Sequence, residues 1–69
     1  MSANDASPEE IAAALTAAGV ANADRWAGEV VEYRPYTSPS DGARLREELA
    51  KYGPDDATLD QILSALTIP

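Results

Sequence analysis

Two helix-start signals, each answered by a glycine stop, divide this chain into matching halves. Ser7-Pro8-Glu9-Glu10 opens an apolar run that closes at Gly19, and Ser38-Pro39-Ser40-Asp41 opens another that closes at Gly53. A second, shorter amphipathic pattern follows each glycine. Such punctuation predicts an all-α fold: a small bundle of four short helices arranged as two helix hairpins. The helices are expected at about 8–18, 23–33, 39–52 and 57–66. Residues 7–69 then form a single helical domain, and residues 1–6 are expected to be a disordered N-terminal tail.

The first helix carries signals at both ends. Ser7 suits the N-cap, Pro8 the first helical position, and Glu10 completes a capping box. Ile11 and Leu15 stack at i,i+4, Gly19 supplies a left-handed C′ residue, and Val20 folds back on Leu15. Helix 2 is expected to start at Asn22 or Asp24 and to place Trp26, Val30 and Tyr33 on one face. Pro35 ends it by pushing Arg34 out of the α region. A strand over Glu29–Tyr36 is the competing reading, but one strand would lack a partner elsewhere in the chain. Helix 3 is expected to be capped by Ser38 with Asp41 at N3 and to line Leu45, Leu49 and Tyr52 on one face. Arg44–Glu48 and Glu47–Lys51 are expected as i,i+4 pairs. Helix 4 is most simply opened by Thr58, with Asp55 or Asp56 as earlier alternatives, and carries Leu59, Ile62, Leu63 and Leu66. Thr67-Ile68-Pro69 is expected to be a short tail.

Composition narrows function more than it assigns it. The chain has 69 residues, no cysteine and no histidine, which removes disulfides, thiolate and imidazole metal ligands, and Ser-His or Cys-His nucleophile pairs. Its longest apolar stretch, Ile11–Ala18, is interrupted by Thr16 and is too short to span a bilayer. The first residues lack a basic n-region, so no signal peptide and a cytoplasmic location are expected. Twelve acidic residues against five basic ones give a net charge of −7, which repels a phosphate backbone and attracts a basic partner. The apolar set is thin for the conformational entropy it must offset, so a second copy of the chain is among the partners to consider.

Motifs for specific chemistry fail when tested on their residues. With Gly28 at position 6 of an EF-hand loop, Ala23, Arg25 and Ala27 stand where calcium ligands belong; with Gly53 there, Glu48, Ala50 and Tyr52 do. A small, acidic, four-helical chain resembles the acyl-carrier proteins in architecture, but that family's Asp-Ser-Leu attachment motif is absent. Leu15-Thr16-Ala17-Ala18-Gly19-Val20 is similar in general shape to helix-hairpin-helix and ubiquitin-associated modules over six residues, without either family's diagnostic turn. No Gly-rich phosphate loop occurs. Catalytic, cofactor-binding and metal-binding residues are therefore all expected to be none, and the chain is expected not to be an enzyme.

What remains is the segment from Trp26 to Tyr36, which holds the sole tryptophan, two of three tyrosines and Arg34. Trp, Tyr and Arg dominate binding hot spots, because they cover much area at low entropic cost. Trp26, Tyr33, Arg34 and Tyr36 are accordingly the expected partner-binding residues of a non-enzymatic protein-interaction module, a small adaptor, accessory subunit or regulator. For Trp26 and Tyr33 the competing reading is ordinary core, and for Tyr36 it is that the side chain merely covers an edge. Two further readings stay open at this point. One is an acidic decoy that mimics nucleic-acid phosphates with Glu29, Glu32, Asp41, Glu47, Glu48, Asp55, Asp56 and Asp60. The other is a self-associating structural component.

Overall fold

The computed structural model describes residues 1–68; Pro69, counted above in the short tail, lies outside the described residues. Four helices follow one another: α1 (Pro8–Ala17), α2 (Ala23–Glu32), α3 (Ser40–Ala50) and α4 (Asp56–Ser64). α1 packs against α2 and α3 against α4, so both expected hairpins form. Among the described residues there is no strand, only an isolated parallel bridge between Ser2 and Thr67.

The α1 ends follow their local chemistry. Ser7 Oγ accepts from the Glu10 N–H at 3.1 Å, while Glu10 Oε1 accepts from the Ser7 N–H at 2.8 Å. These two bonds satisfy otherwise unpaired amides at the helix start, and the Ser7 N–H, with the Ser7 hydroxyl, holds the Glu10 carboxyl below its usual range. At the other end Gly19 has φ +89°, the Val20 N–H donates to the Leu15 carbonyl, and the Gly19 N–H donates to the Thr16 carbonyl. This is a Schellman closure, and its left-handed residue favours glycine. Gly53, with φ +85°, ends the α3 turn in the same backbone region.

The remaining caps differ in detail from expectation. Asp55, the earlier alternative to Thr58, opens α4: its Oδ1 accepts from the Thr58 N–H at 2.8 Å. An ionised carboxylate at a helix N-terminus makes a stronger acceptor than a hydroxyl. Ser38 does not cap α3; its Oγ pairs with Ser40 Oγ, and the helix begins later, at Ser40. Asp41 reaches back instead, accepting from the Thr37 and Ser38 N–H groups at 2.6 and 3.3 Å. At α2, Asn22 adopts the left-handed region and offers its carbonyl, not its side chain, to the Arg25 and Trp26 amides.

The core draws on all four helices through Ile11, Leu15, Trp26, Val30, Leu45, Leu49, Leu59 and Ile62, with Val20 from the first turn. Leu63 and Leu66 are only partly buried against it. Tyr52 departs from its expected place beside Leu45 and Leu49: α3 stops at Ala50, and the closing turn leaves Tyr52 43% exposed. The ion pairs also regroup. Arg44 meets Asp41, Lys51 meets Glu48, and Arg46 bridges the second hairpin to Asp60 at 2.6 Å and Asp56 at 3.9 Å.

Residues 1–6 also depart from the expected disordered tail, because they form part of the fold. Ala3 and Ala6 are buried in the core. The Ala3 N–H donates to the Thr67 carbonyl and the Thr67 N–H to the Met1 carbonyl, which brings the two ends of the described chain side by side. Asn4 clasps the backbone of Tyr36 on both sides, accepting from its N–H and donating to its carbonyl, each at 2.7 Å. Small alanines and one amide suffice to seat this segment, and neither registers as helical periodicity. The Cα radius of gyration is 10.4 Å, at or below the ~11 Å typical of a folded chain of this length, so the core closes on itself.

Candidate functional site

The four residues singled out in the sequence divide into two groups. Arg34 and Tyr36 face inward. The Arg34 guanidinium donates through Nε to the Ala3 carbonyl at 2.6 Å and through its terminal nitrogen to the Ala6 carbonyl. Tyr36 is 1% exposed, and its hydroxyl donates to the Val30 carbonyl at 2.6 Å, pairing an acceptor in the last turn of α2. Burial pushes its phenol up to about 12. Together they bolt residues 3–6 and the last turn of α2 to the linker, which is the structural duty that local sequence could not assign to Arg34. As it stands, neither residue offers a partner much more than an edge.

Trp26 and Tyr33 belong to the second group, at the junction between the hairpins. Arg25, Glu29 and Tyr33 recur every four residues along α2 and so share one stripe of its surface. Tyr52, delivered by the turn after α3, lies against this stripe. Its ring meets Trp26 edge to face, with centroids 6.2 Å apart and planes at 71°. The Arg25 guanidinium carbon sits 5.3 Å from both ring centroids, a doubled cation–π contact that covers the tryptophan, leaving it 5% exposed. The adjacent Tyr33 side chain, then loss of water and the Glu29 charge, push the Tyr52 phenol up to about 12. Glu29 Oε2 is shielded from solvent and has no hydrogen-bond partner among the described residues.

Tyr33 also forms a wall of a groove of about 240 Å³ between the linker and α3. Buried Tyr36 and Leu45 make its floor, and Arg44 and Glu48 its charged rim. That volume is below the roughly 300–1,000 Å³ of small-molecule sites, so it suits one inserted side chain better than a cofactor. The Arg25–Trp26–Tyr52–Tyr33 cluster runs into the groove without a break, because Tyr33 belongs to both.

Of the residues lining this junction, Tyr52 and Arg44 are not candidates on sequence grounds, and Glu48 is one only within the acidic decoy set. Tyr52 was assigned to the buried face of α3; its position one residue before a glycine stop was the available sign that the turn would carry it outward. Among the described residues, no three or more Asp or Glu side chains gather to hold a metal ion, and no helix is long and apolar enough to cross a membrane. No known family matches the chain, and no curated protein or solved structure shows significant similarity to it.

Proposed function

We propose that this domain is a non-enzymatic protein-interaction module, an adaptor, accessory subunit or regulator that docks through the hairpin junction. The observation that carries the reading is the continuous aromatic and arginine surface from Arg25 across Tyr52 and Tyr33 to the Arg44–Glu48 rim, with a side-chain-sized groove at one end. Aromatic rings beside arginine and a small desolvated pocket are the usual makings of a binding hot spot. The docking surface therefore lies beside the linker, since the linker's Arg34 and Tyr36 are engaged in the fold.

The acidic decoy draws less support. Glu48, Asp56 and Asp60 are paired with Lys51 or Arg46, Asp41 holds the start of α3, and Asp55 caps α4, which leaves Glu29, Glu32 and Glu47 of the mimic set. Self-association also draws less. Met1 and Tyr52 are the exposed large hydrophobic residues among those described, too little apolar surface for an obligate interface.

The test is a quantitative capture from extracts of the source cells with the wild-type domain, Tyr52→Ala, Arg44→Ala and the distant control Glu9→Gln. Docking at the junction predicts a protein retained by wild type and the control and lost from both junction variants. Its retention should fall only modestly with salt, because its contacts are aromatic and partly buried, whereas a decoy's partner would be released steeply as ionic strength rises. If no retained protein depends on Tyr52 or Arg44, the reading fails.

A further inference from the structure

The Arg25 corner has an unequal division of labour. Two aromatic rings at 71° present their π surfaces to one cation, and the Arg25 guanidinium fills that place at 5.3 Å from each. Beside the Tyr52 hydroxyl stands the Glu29 carboxylate, whose Oε2 is shut away from water and makes no hydrogen bond among the described residues. Arg25 does not supply a donor: among the described residues no carboxylate lies within 4 Å of it. Both side chains rise from the same face of α2, one turn apart, so Arg25 approaches the rings from its own helix and leaves the acceptor unmet. A guanidinium entering from outside is not bound to that approach. Its planar fork of five N–H donors stacks on a ring and donates to a carboxylate at once.

We infer that Trp26, Tyr52 and Glu29 form a guanidinium site, occupied by Arg25 in the free protein and taken by an arginine of a basic partner on docking. The inference rests on the docking reading above and names the side chain that the junction receives. Lysine fits less well, as a compact hydrated charge that does not stack. A quaternary ammonium lacks the N–H that Glu29 requires. The net charge of −7 draws cationic chains toward the surface, and Arg25 keeps the indole covered until one arrives.

The sole tryptophan is the reporter. The full chain is titrated with the blocked tripeptide acetyl-Gly-Arg-Gly-amide, its lysine counterpart and tetramethylammonium. Trp26 emission and the indole N–H resonance are followed throughout. The arginine peptide is expected to saturate both signals at lower concentration than either control. Removing the resident competitor in Arg25→Ala should tighten arginine-peptide binding about two- to fivefold, the factor an exposed cation–π contact is worth. Glu29→Gln should weaken it about tenfold by removing the charge from the hydrogen bond. Helical circular dichroism checks that each variant folds, and Arg25→Gln, which keeps part of the covering stem, repeats the comparison if Arg25→Ala does not. Equal responses to arginine and lysine, a tighter response to tetramethylammonium, or weaker arginine binding in folded Arg25 variants would each overturn the inference. A partner that depends on Arg44 and Tyr52 but is not displaced by the arginine peptide overturns it too, while leaving the docking reading in place.

Discussion

Replacing Tyr36 by phenylalanine removes one oxygen from the interior and leaves the ring's volume in place. The lost hydroxyl donates at 2.6 Å to the Val30 carbonyl, in the last turn of α2, where the helix itself supplies no donor. A buried acceptor left unpaired costs about 1–3 kcal/mol. For a domain of this size each kcal/mol lowers the melting temperature by about 4–8 °C, so a fall of about 5–20 °C is expected at pH 7. Thermal unfolding by circular dichroism measures it. The same hydroxyl makes a second, opposite signature at high pH. Its folded pKa is raised to about 12 from 10.0, so above pH 10 the unfolded chain loses its proton more readily than the folded one. Stability attributable to the protonated phenol is therefore complete below pH 10 and is lost as pH climbs toward 12. Tyr36→Phe should be less stable at pH 7 but lose less over that alkaline window than wild type. A phenylalanine variant with wild-type melting at pH 7 and an unchanged alkaline slope would refute the assignment of Tyr36 to the fold.

Acid should loosen the domain in the opposite sense. The Glu10 and Asp41 carboxyls are held below their ordinary values of 4.5 and 3.8 chiefly by the backbone amides they accept from, and Asp55 below 3.8 by the Thr58 hydroxyl and then its amide, so the stability they contribute is present above that range and lost as pH falls through the lowered values. Asp55→Asn should flatten the acid limb of the stability–pH curve read by urea denaturation. Gly19→Ala, at φ +89° with only ordinary contact to Gln61 beyond it, should cost about 1–2 kcal/mol through backbone strain alone, measurable as a lower urea midpoint with an unchanged slope.

The helices and hairpins were legible because their signals are local. Ser7 and Glu10 are three residues apart, Leu15 and Gly19 four, and the periodicity of Leu45 and Leu49 needs no knowledge of what lies opposite. The proposed docking surface is less legible. Arg34 bonds to carbonyls 28 and 31 residues away, and Tyr36 is clasped by Asn4 at a separation of 32. An exposed-looking Tyr-Arg-Pro-Tyr linker carries no mark that alanines and an asparagine will return to cover it. Trp26 and Tyr33 stand out in the sequence, but their companion Tyr52 arrives from the other hairpin. Whether a tyrosine at a helix end turns in or out depends on where the last turn stops, which capping decides within one residue.

Arg34 belongs to the fold and Arg44 to the surface, and paired urea denaturation of Arg34→Ala and Arg44→Ala tests this most directly. Arg34 donates two charge-assisted bonds into the N-terminal segment, so its loss should cost about 2–4 kcal/mol, whereas exposed Arg44 should change stability by no more than about 0.5 kcal/mol. Equal small effects would contradict it, since Arg34 would then stand free for a partner and the linker, not the junction beside it, would be the docking surface.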